Sequence, residues 1–248
     1  SEIDYVLRGD GEVPLPRLVE ALLDGGDVAR VPNVVGRDVE TPLSYALTQA
    51  DLDTADHFDL RFFPSLERRL ARIHRRQRGR PLPVFPHLVV HRGCPLACPD
   101  CCGGARLQRQ LFGRPGLTRA PEAVARDLAT LERRPDTGFV NILGGLVELW
   151  PEAEVARALP RRFDLQVHYD FFRAPPPAGL EALLATFTGG RLAIPVDGQH
   201  GQSVEPTDPE ALIATIRRVQ REPGWAVALC FSLPDAQRSP RYRQAILA

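Results

Sequence analysis

The feature that most limits the fold of this chain is the alternation of short apolar stretches with amphipathic stretches. The apolar stretches predict strands at 138–143, 165–171, 191–196 and 225–233, and the amphipathic ones predict helices at 152–159, 178–187 and 209–221. An earlier pair has the same form: the apolar run Leu88-Val89-Val90 and a helix that begins near Pro121. Such alternation builds a parallel sheet with outer helices, and ligands bind at the carboxyl ends of its strands. With a further helix after 233, we expect an α/β fold of five strand–helix units.

Composition is consistent with one sizeable core. The chain has 248 residues, of which 44% are hydrophobic and 25% are charged, and its formal net charge is +0. This length can bury a large single core, and no apolar run is long enough to cross a bilayer. We therefore expect a cytoplasmic protein without a membrane span. The balanced charge gives no reason to expect nucleic acid as a partner.

Arginine is concentrated between residues 66 and 80. Such a segment can bind phosphate groups or nucleic acid, or it can be a solvated helix face. Because charge is balanced over the whole chain, we favour the solvated face. This Arg-rich helix and the polar, Asp-rich stretch before it form the expected linker, 46–82.

Four of the five cysteines lie close together, in the order Cys94-x3-Cys98-x2-Cys101 followed directly by Cys102. The group follows the apolar run at 88–90 and precedes two glycines. Three thiolates on one short loop can hold three irons of a 4Fe-4S cluster and leave the fourth iron open to an outside ligand. The spacing therefore predicts a metal centre with an open coordination position.

Two other interpretations of the cysteines are weaker. A zinc site needs a fourth ligand, for which Cys102 is too close to its neighbour and Cys230 is distant, so that His91 is the remaining candidate. A disulfide framework is disfavoured by the odd number of cysteines and by the lack of a secretory leader.

The cysteine spacing resembles the cluster loop of the radical S-adenosylmethionine (radical SAM) superfamily. The resemblance implies a partial (β/α)6 barrel over 83–248, one strand short of six as a truncated carboxyl terminus would leave it. It also implies that Cys94, Cys98 and Cys101 hold the cluster and that the open iron chelates SAM. An electron from the reduced cluster then cleaves SAM to methionine and a 5′-deoxyadenosyl radical. Asp100 departs from the superfamily, in which the residue before the third cysteine is commonly aromatic.

The same resemblance suggests contacts to SAM at other strand ends. Gly144 and Gly145 fall where the superfamily places a glycine pair whose backbone receives the SAM amino group, with Leu146 in place of the usual acidic residue. Asp197, at the end of strand 191–196, is implied as a ribose contact, and an Asp-Gly turn is the alternative. Residues 230–234 resemble a strand-ending Gly-Leu-Pro element with serine in place of glycine.

Two further candidates for catalysis lie on the predicted strand 165–171. Alternate residues of a barrel strand point into the barrel, and His168 and Tyr169 are neighbours there. Either side chain is a candidate to contact the substrate or to relay a proton. The alternative is a packed, hydrogen-bonded core pair.

The first residues have a different character. A predicted strand at 3–8, a Gly-Asp-Gly-Glu turn and a helix at 14–23 resemble the end of the Rossmann-like, cobalamin-binding domain that precedes the barrel in one branch of the superfamily. This resemblance covers residues 1–45 and implies that most of that domain lies before residue 1. It names Gly9, Gly11 and Glu12 as cobalamin contacts. The Asp-x-His-x-x-Gly motif that supplies a histidine to cobalt does not occur in this sequence.

Together these resemblances imply a radical SAM methyltransferase that uses cobalamin and acts on an unactivated carbon. Its cofactors are a 4Fe-4S cluster, SAM and cobalamin. Its partners are a small-molecule or peptide substrate and an electron donor such as flavodoxin or ferredoxin. The first alternative is a radical SAM enzyme without cobalamin that carries out a rearrangement or an oxidation. The second is a non-catalytic binding protein stabilised by zinc or by a cluster.

Overall fold

The computed structural model describes residues 3–55, 58, 85–96, 103–134, 137–196 and 208–230. The chain divides into two compact units, Ser1–Asp53 with His91–Thr118, and Thr54–Val90 with Arg119–Ala248. The first unit is therefore built from two separate parts of the sequence. The segment that contains Cys94 belongs to this first unit. The division predicted from the sequence, into 1–45, 46–82 and 83–248, instead assigns that segment to the barrel.

The described helices and strands are bounded as follows. The helices are α1 (Pro14–Asp24), α2 (Gln49–Thr54), α3 (Ala105–Phe112), α4 (Pro121–Glu132), α5 (Glu152–Ala158), α6 (Pro177–Thr186) and α7 (Pro209–Gln220). The strands are β1 (Tyr5–Leu7), β2 (Val34–Gly36), β3 (His87–Leu88), β4 (His91–Arg92), β5 (Leu117–Thr118), β6 (Phe139–Ile142), β7 (Phe163–Asp170), β8 (Phe187–Pro195) and β9 (Trp225–Cys230). None of the described helices is both long and apolar enough to cross a membrane.

The first unit contains two antiparallel strand pairs, β1 with β2 and β4 with β5. Helix α1 follows β1, with Pro14 in its first turn and with Gly25 at φ 68° as its left-handed C-cap. Its Leu18 packs with Val31 and Val34 in a small core. The strand and helix predicted at 3–8 and 14–23 therefore form with slightly different bounds.

The second unit contains a sheet of five parallel strands in the order β3-β6-β7-β8-β9. The predicted parallel α/β fold is thereby confirmed. The strand order never reverses, so right-handed crossovers place the connecting helices on one face of the sheet. In agreement, α4 contacts α5, and α5 contacts α6. Helix α7 connects the fourth and fifth strands of the sheet, β8 and β9, and it contacts β9.

The two faces of this sheet differ in character. Along β7 the buried residues alternate with exposed or half-buried ones. The buried residues belong to one core, shared with apolar side chains of α4, α5, α6 and α7. We call this side the helix-covered face. The other side, which we call the open face, includes Gln166, His168 and Asp170 of β7.

Strand β8 differs most from the sequence prediction. It begins at Phe187, directly after α6, whereas the sequence predicted a start at Arg191. Gly189 and Gly190 lie inside the strand because neighbouring backbone atoms leave no room for a side chain. A Cβ on Gly190 would lie 1.9 Å from the carbonyl oxygen of Val167. Close backbone approach, and not a turn, accounts for this glycine pair.

Other differences are smaller. β3 ends at Leu88, and His91–Arg92 then pairs with β5 and does not extend the parallel sheet. The short helix α2 lies within the predicted linker. The Arg-rich segment 66–80 and the carboxyl-terminal residues 231–248 lie outside the described residues.

Candidate functional site

The cysteine segment is described at its two ends. The backbone N–H of Cys94 donates to the carbonyl oxygen of Gly103 at 2.9 Å, and the N–H of Ala105 donates to that of Leu96 at 2.8 Å. These bonds hold the two described ends of the segment, residues 94–96 and 103–105, next to each other between β4 and α3. Cys94 is half-buried, and the N–H of Leu96 donates to its Sγ at 3.4 Å.

Cys98 and Cys101 lie outside the described residues, so the structure locates the motif at Cys94 alone. Within the part of the chain that is described, no three His, Cys, Asp or Glu side chains form a metal-binding group. His91, the candidate fourth ligand for zinc, has its Nδ1 3.0 Å from the carbonyl oxygen of Gly93. That ring nitrogen therefore faces the backbone of the loop.

Close packing fixes the backbone at the entry of this loop. Gly93 has φ 82°, and a Cβ there would lie 2.4 Å from the side chain of Gln108 on α3. Gln108 is buried against the Gly93 backbone. Only glycine combines this conformation with this contact, and the residue before Cys94 is consequently held in one position.

Asp10, in the Gly-Asp-Gly-Glu turn, makes the most buried ion pair of the first unit's described residues. Its two oxygens accept hydrogen bonds of 2.9 Å each from Nε and Nη2 of Arg114, and the N–H of Leu47 adds a third at 3.0 Å. The Asp10 side chain is fully buried, and 8% of the Arg114 side chain is exposed. The fork geometry makes such a pair strong and directional. It joins the turn to the segment that follows α3.

The three candidate cobalamin contacts lie in the same turn. Gly9 has φ 82°, and its Cβ position is 3.0 Å from the carbonyl oxygen of Leu111. Glu12 pairs with Nη2 of Arg92 at 3.2 Å. No atom of the described residues lies within 4 Å of the Cβ position of Gly11. Two of the three candidates therefore contact the segment that contains Cys94.

In the second unit, the predicted glycine pair begins the loop after β6. Gly144 and Gly145 both have positive φ, 60° and 84°. The carboxylate of Glu148 folds back onto this loop and accepts from the N–H of Gly145 at 3.1 Å and from the N–H of Phe172 at 2.9 Å. Its Oε2 also accepts from the hydroxyl of Tyr169 at 2.5 Å. The loop is thus attached to the carboxyl end of β7.

The Tyr169 hydroxyl completes this network. Its oxygen accepts hydrogen bonds from the N–H groups of Leu146 at 3.0 Å and Val147 at 3.2 Å, while its proton is donated to Glu148. Tyr169 is fully buried on the helix-covered face. A tyrosine in this position holds the glycine loop, and the hydroxyl has no access to a ligand on the open face.

Burial shifts the protonation of both groups. It raises the pKa of Glu148, and the hydrogen bonds from Tyr169 and Phe172 oppose that shift without cancelling it. Burial, and then the negative charge of Glu148, raises the pKa of Tyr169 well above its usual value. Tyr169 consequently remains a neutral donor at neutral pH.

His168, next to Tyr169 in the chain, lies on the open face. Its Nε2 is 3.2 Å from Oδ1 of Asp170, and the two side chains are 32% and 45% exposed. A carboxylate in this position orients the imidazole and leaves the other ring nitrogen for a ligand. The pair can hold or move a proton at the carboxyl end of β7.

Asp197 lies outside the described residues, directly after Val196 at the end of β8. Cys230 ends β9 and is exposed. The structure therefore brings Gly144, Gly145, His168 and Tyr169 to neighbouring carboxyl ends of one parallel sheet. Tyr169 lies on the opposite face from His168.

Sequence reasoning missed Glu148 and Arg191. Glu148 follows the glycine pair by three residues, whereas the superfamily motif has an acid directly after it, so the motif did not point to this position. Arg191 is an exposed residue that only the strand register relates to His168. A search for acids a few residues beyond Gly145 could have found the first but not the second.

Comparison with protein-family models, with curated proteins and with solved structures found no match to this chain.

Proposed function

We propose that this protein is a radical SAM iron–sulfur enzyme. The observation that carries the proposal is the Cys94-x3-Cys98-x2-Cys101 spacing, which follows the first strand of a parallel α/β sheet in the chain. A partial (β/α)6 barrel is the finer form of this fold that the proposal requires. The sequential strand order supports it, because barrels are wound in this order and doubly wound sheets reverse it.

The described residues fit such a cluster in donor chemistry. Cys94 is half-buried on a loop whose ends are hydrogen-bonded together, and thiolates are the ligands of iron–sulfur clusters. When bound, the cluster supplies an electron for the reductive cleavage of SAM, which generates a carbon radical. Cys94, Cys98 and Cys101 are its proposed ligands.

The chain's own residues have distinct roles in this proposal. Gly144 and Gly145 receive the amino group of SAM on their backbone, and Asp197 contacts the ribose. Glu148 and Tyr169 hold the glycine loop in one shape before SAM binds, which lowers the cost of binding. His168, oriented by Asp170, holds or moves a proton of the substrate.

Cobalamin-dependent methyl transfer rests on the resemblance of residues 1–45 alone. In the described residues Gly9 packs against Leu111, and Glu12 pairs with Arg92 while 42% of its side chain stays exposed. These residues do not form a recognisable cobalamin site, so we derive no step through that group. Cobalt analysis of the purified protein separates a cobalamin-dependent methyltransferase from a radical SAM enzyme that performs a rearrangement or an oxidation.

Anaerobic reconstitution with iron and sulfide, followed by electron paramagnetic resonance of the reduced protein, tests the proposal. We expect a 4Fe-4S signal that shifts when SAM is added and that is lost in Cys94→Ala, Cys98→Ala and Cys101→Ala. Cys230→Ala is the matched control, because Cys230 is an exposed cysteine outside the motif, and it should keep the signal.

Tightly bound zinc without an iron–sulfur signal would contradict the proposal and favour the non-catalytic binding protein. A second measurement addresses activity: dithionite-reduced protein should convert SAM to 5′-deoxyadenosine and methionine. Cys94→Ala should abolish that conversion, and Cys230→Ala should not.

A further inference from the structure

The strand register of the second unit aligns four polar residues across four neighbouring strands. His87 of β3 pairs with Asn141 of β6, Asn141 pairs with His168 of β7, and His168 pairs with Arg191 of β8. Paired residues of adjacent strands lie on the same face, and the strands are about 4.8 Å apart. The four residues therefore form a row about 14 Å long on the open face. We call it the polar row.

Arg191 reaches this row through an irregularity in the pairing. The register shifts between Phe163 and Gln166, and Gln166 then pairs with Gly189. A shift of one residue moves every following side chain to the opposite face. Without the irregularity, Arg191 would point toward the helix-covered face. The bulge and the glycines of β8 together place a guanidinium beside the His168 imidazole.

The polar row is rich in hydrogen-bond donors and poor in negative charge. Arg191 and His87 are exposed, and neither has an ion pair or a side-chain hydrogen bond with another described residue. Among the described residues, the carboxylate on the open face next to the row is Asp170, which is engaged by His168. Asp164 lies on the same face four residues before His168, and it lines a cavity near the amino end of β7. The Asn141 amide reaches only the carbonyl oxygen of Phe85, at 3.4 Å. Donors arranged in this way complement an oxyanion.

A cavity lies beside the row, toward the amino ends of the strands. Its volume is about 360 Å3, and Phe85, Phe139 and Gln166 are among its lining residues. The two phenylalanine rings stack at 6.3 Å between centroids. Phe139 and Gln166 precede Asn141 and His168 by two residues, which corresponds to about 7 Å along a strand. An apolar surface is thus within reach of a small molecule held by the row.

We propose that the polar row binds the oxyanion, a carboxylate or a phosphate, of a small organic substrate whose apolar part lies in the cavity against Phe139. Arg191 is the principal binding residue and His168 the group nearest to the bound oxyanion. This inference rests on the proposed function, because it names the substrate class of the same enzyme. An oxyanion site of this kind excludes neutral substrates. It also excludes large peptides that lack an acidic group at the reacting end.

Equilibrium dialysis of the reconstituted full chain with radiolabelled benzoate tests this proposal. Benzoate should bind in a saturable manner, and inorganic phosphate should displace it. Neutral benzamide, which has the same shape, should bind at least about tenfold more weakly. Equal binding of benzamide and benzoate would overturn the proposal, since the oxyanion would then contribute nothing.

Arg191→Gln should weaken benzoate binding about tenfold or more, because it removes the charge and the guanidinium fork. Arg191→Lys keeps the charge without the fork and should give an intermediate loss. Arg162→Gln is the matched control: Arg162 is an exposed arginine that precedes β7, and its removal should leave binding within about twofold. Equal binding by Arg191→Gln and Arg162→Gln would contradict the assignment. A thermal melt of each variant confirms that the fold is retained.

Two readouts separate this proposal from the function on which it rests. In the absence of substrate, the control variant Arg162→Gln should convert SAM to 5′-deoxyadenosine, whereas Cys94→Ala should not. If the protein cleaves SAM but does not bind benzoate, the proposed oxyanion site is wrong and the proposed activity stands. If benzoate binding depends on Arg191 but SAM is not cleaved, the proposed radical SAM activity is wrong and the oxyanion site stands. The affinity for SAM identifies the source of the oxyanion: an unchanged value in Arg191→Gln supports the substrate, and a tenfold loss would assign the site to the SAM carboxylate.

Discussion

His168 and Tyr169 are neighbours on β7, yet they belong to two different environments. Tyr169 is fully buried on the helix-covered face, and its hydroxyl is donor to one partner and acceptor to two. His168 is a third exposed on the open face and has a single carboxylate partner, Asp170. One strand therefore supplies both a support for the glycine loop and a group that can meet a ligand.

The two environments indicate which polar groups of this sheet tolerate substitution. A buried polar group contributes only while all its partners remain, because each lost partner leaves a donor or an acceptor without water. A half-exposed group can exchange a protein partner for water at little cost. Variants of the helix-covered face should therefore affect stability, and variants of the open face should affect binding.

The largest effect should come from Gly190→Ala. Gly190 has φ 146°, and its Cβ would lie 1.9 Å from the carbonyl oxygen of Val167, a backbone atom that cannot move away. We expect a loss of about 4 kcal/mol or more in the free energy of unfolding, measured by urea denaturation. Gly11→Ala, with nothing within 4 Å of its Cβ position, is the control. Equal stability of the two variants would refute the account of β8.

Glu148→Ala should be the next most damaging change. It leaves the Tyr169 hydroxyl and the N–H groups of Gly145 and Phe172 without their acceptor in a buried site. We expect a loss of about 3 kcal/mol. Hydrogen exchange of the Gly145 amide should become faster as well. Unchanged exchange at Gly145 would mean that Glu148 does not hold the loop.

Tyr169→Phe removes only the hydroxyl and should cost about 2 kcal/mol. A double-mutant cycle with Glu148→Gln measures the coupling between the two side chains, which we expect to be about 1–2 kcal/mol. Additive losses in that cycle would show that the two groups act independently.

The pH dependence of stability should reflect Glu148. Its pKa is raised in the folded protein, chiefly by burial, so the folded state binds this proton more tightly than the unfolded state. The stability from Glu148 is complete below the pKa of the unfolded chain and is lost as the pH rises through the raised pKa. Wild type should therefore lose stability relative to Glu148→Gln over that window in urea titrations at several pH values. Parallel profiles of the two proteins would contradict the raised pKa.

The smallest effects on stability should come from the open face. Arg191→Gln and His168→Gln should each change the free energy of unfolding by about 0.5 kcal/mol or less, because both side chains are at least partly solvated. Losses above 2 kcal/mol in either variant would mean that the open face is part of the core.

The fold class could be predicted from the sequence because the apolar periodicity of the strands and helices is local. The strand predicted at 138–143 and the helix at 152–159 differ from β6 and α5 by one residue at the ends. The start of β8 was harder to predict, since glycines in a strand have the same local sequence pattern as glycines in a turn. Only the neighbouring backbone of β7 explains Gly190.

The candidate site was predictable in part. Gly144 and Gly145 were identified by their resemblance to the superfamily's glycine pair after a predicted strand, and His168 because it lies on a predicted barrel strand. Glu148 and the Asp10–Arg114 pair depend on contacts between separate segments, which a local pattern does not contain. The polar row depends on a register shift, which is likewise invisible in the sequence.

The buried pair of Asp10 and Arg114 also limits when the first unit can fold during synthesis. The two residues are 104 positions apart in the chain, and at about 5–20 residues per second a ribosome takes about 5–20 s to travel that distance. Until Arg114 emerges, the Asp10 carboxylate must remain in water, because burying it alone is too costly. The turn that contains Asp10 and the segment that contains Cys94 can therefore pack together only after Arg114 has left the ribosome.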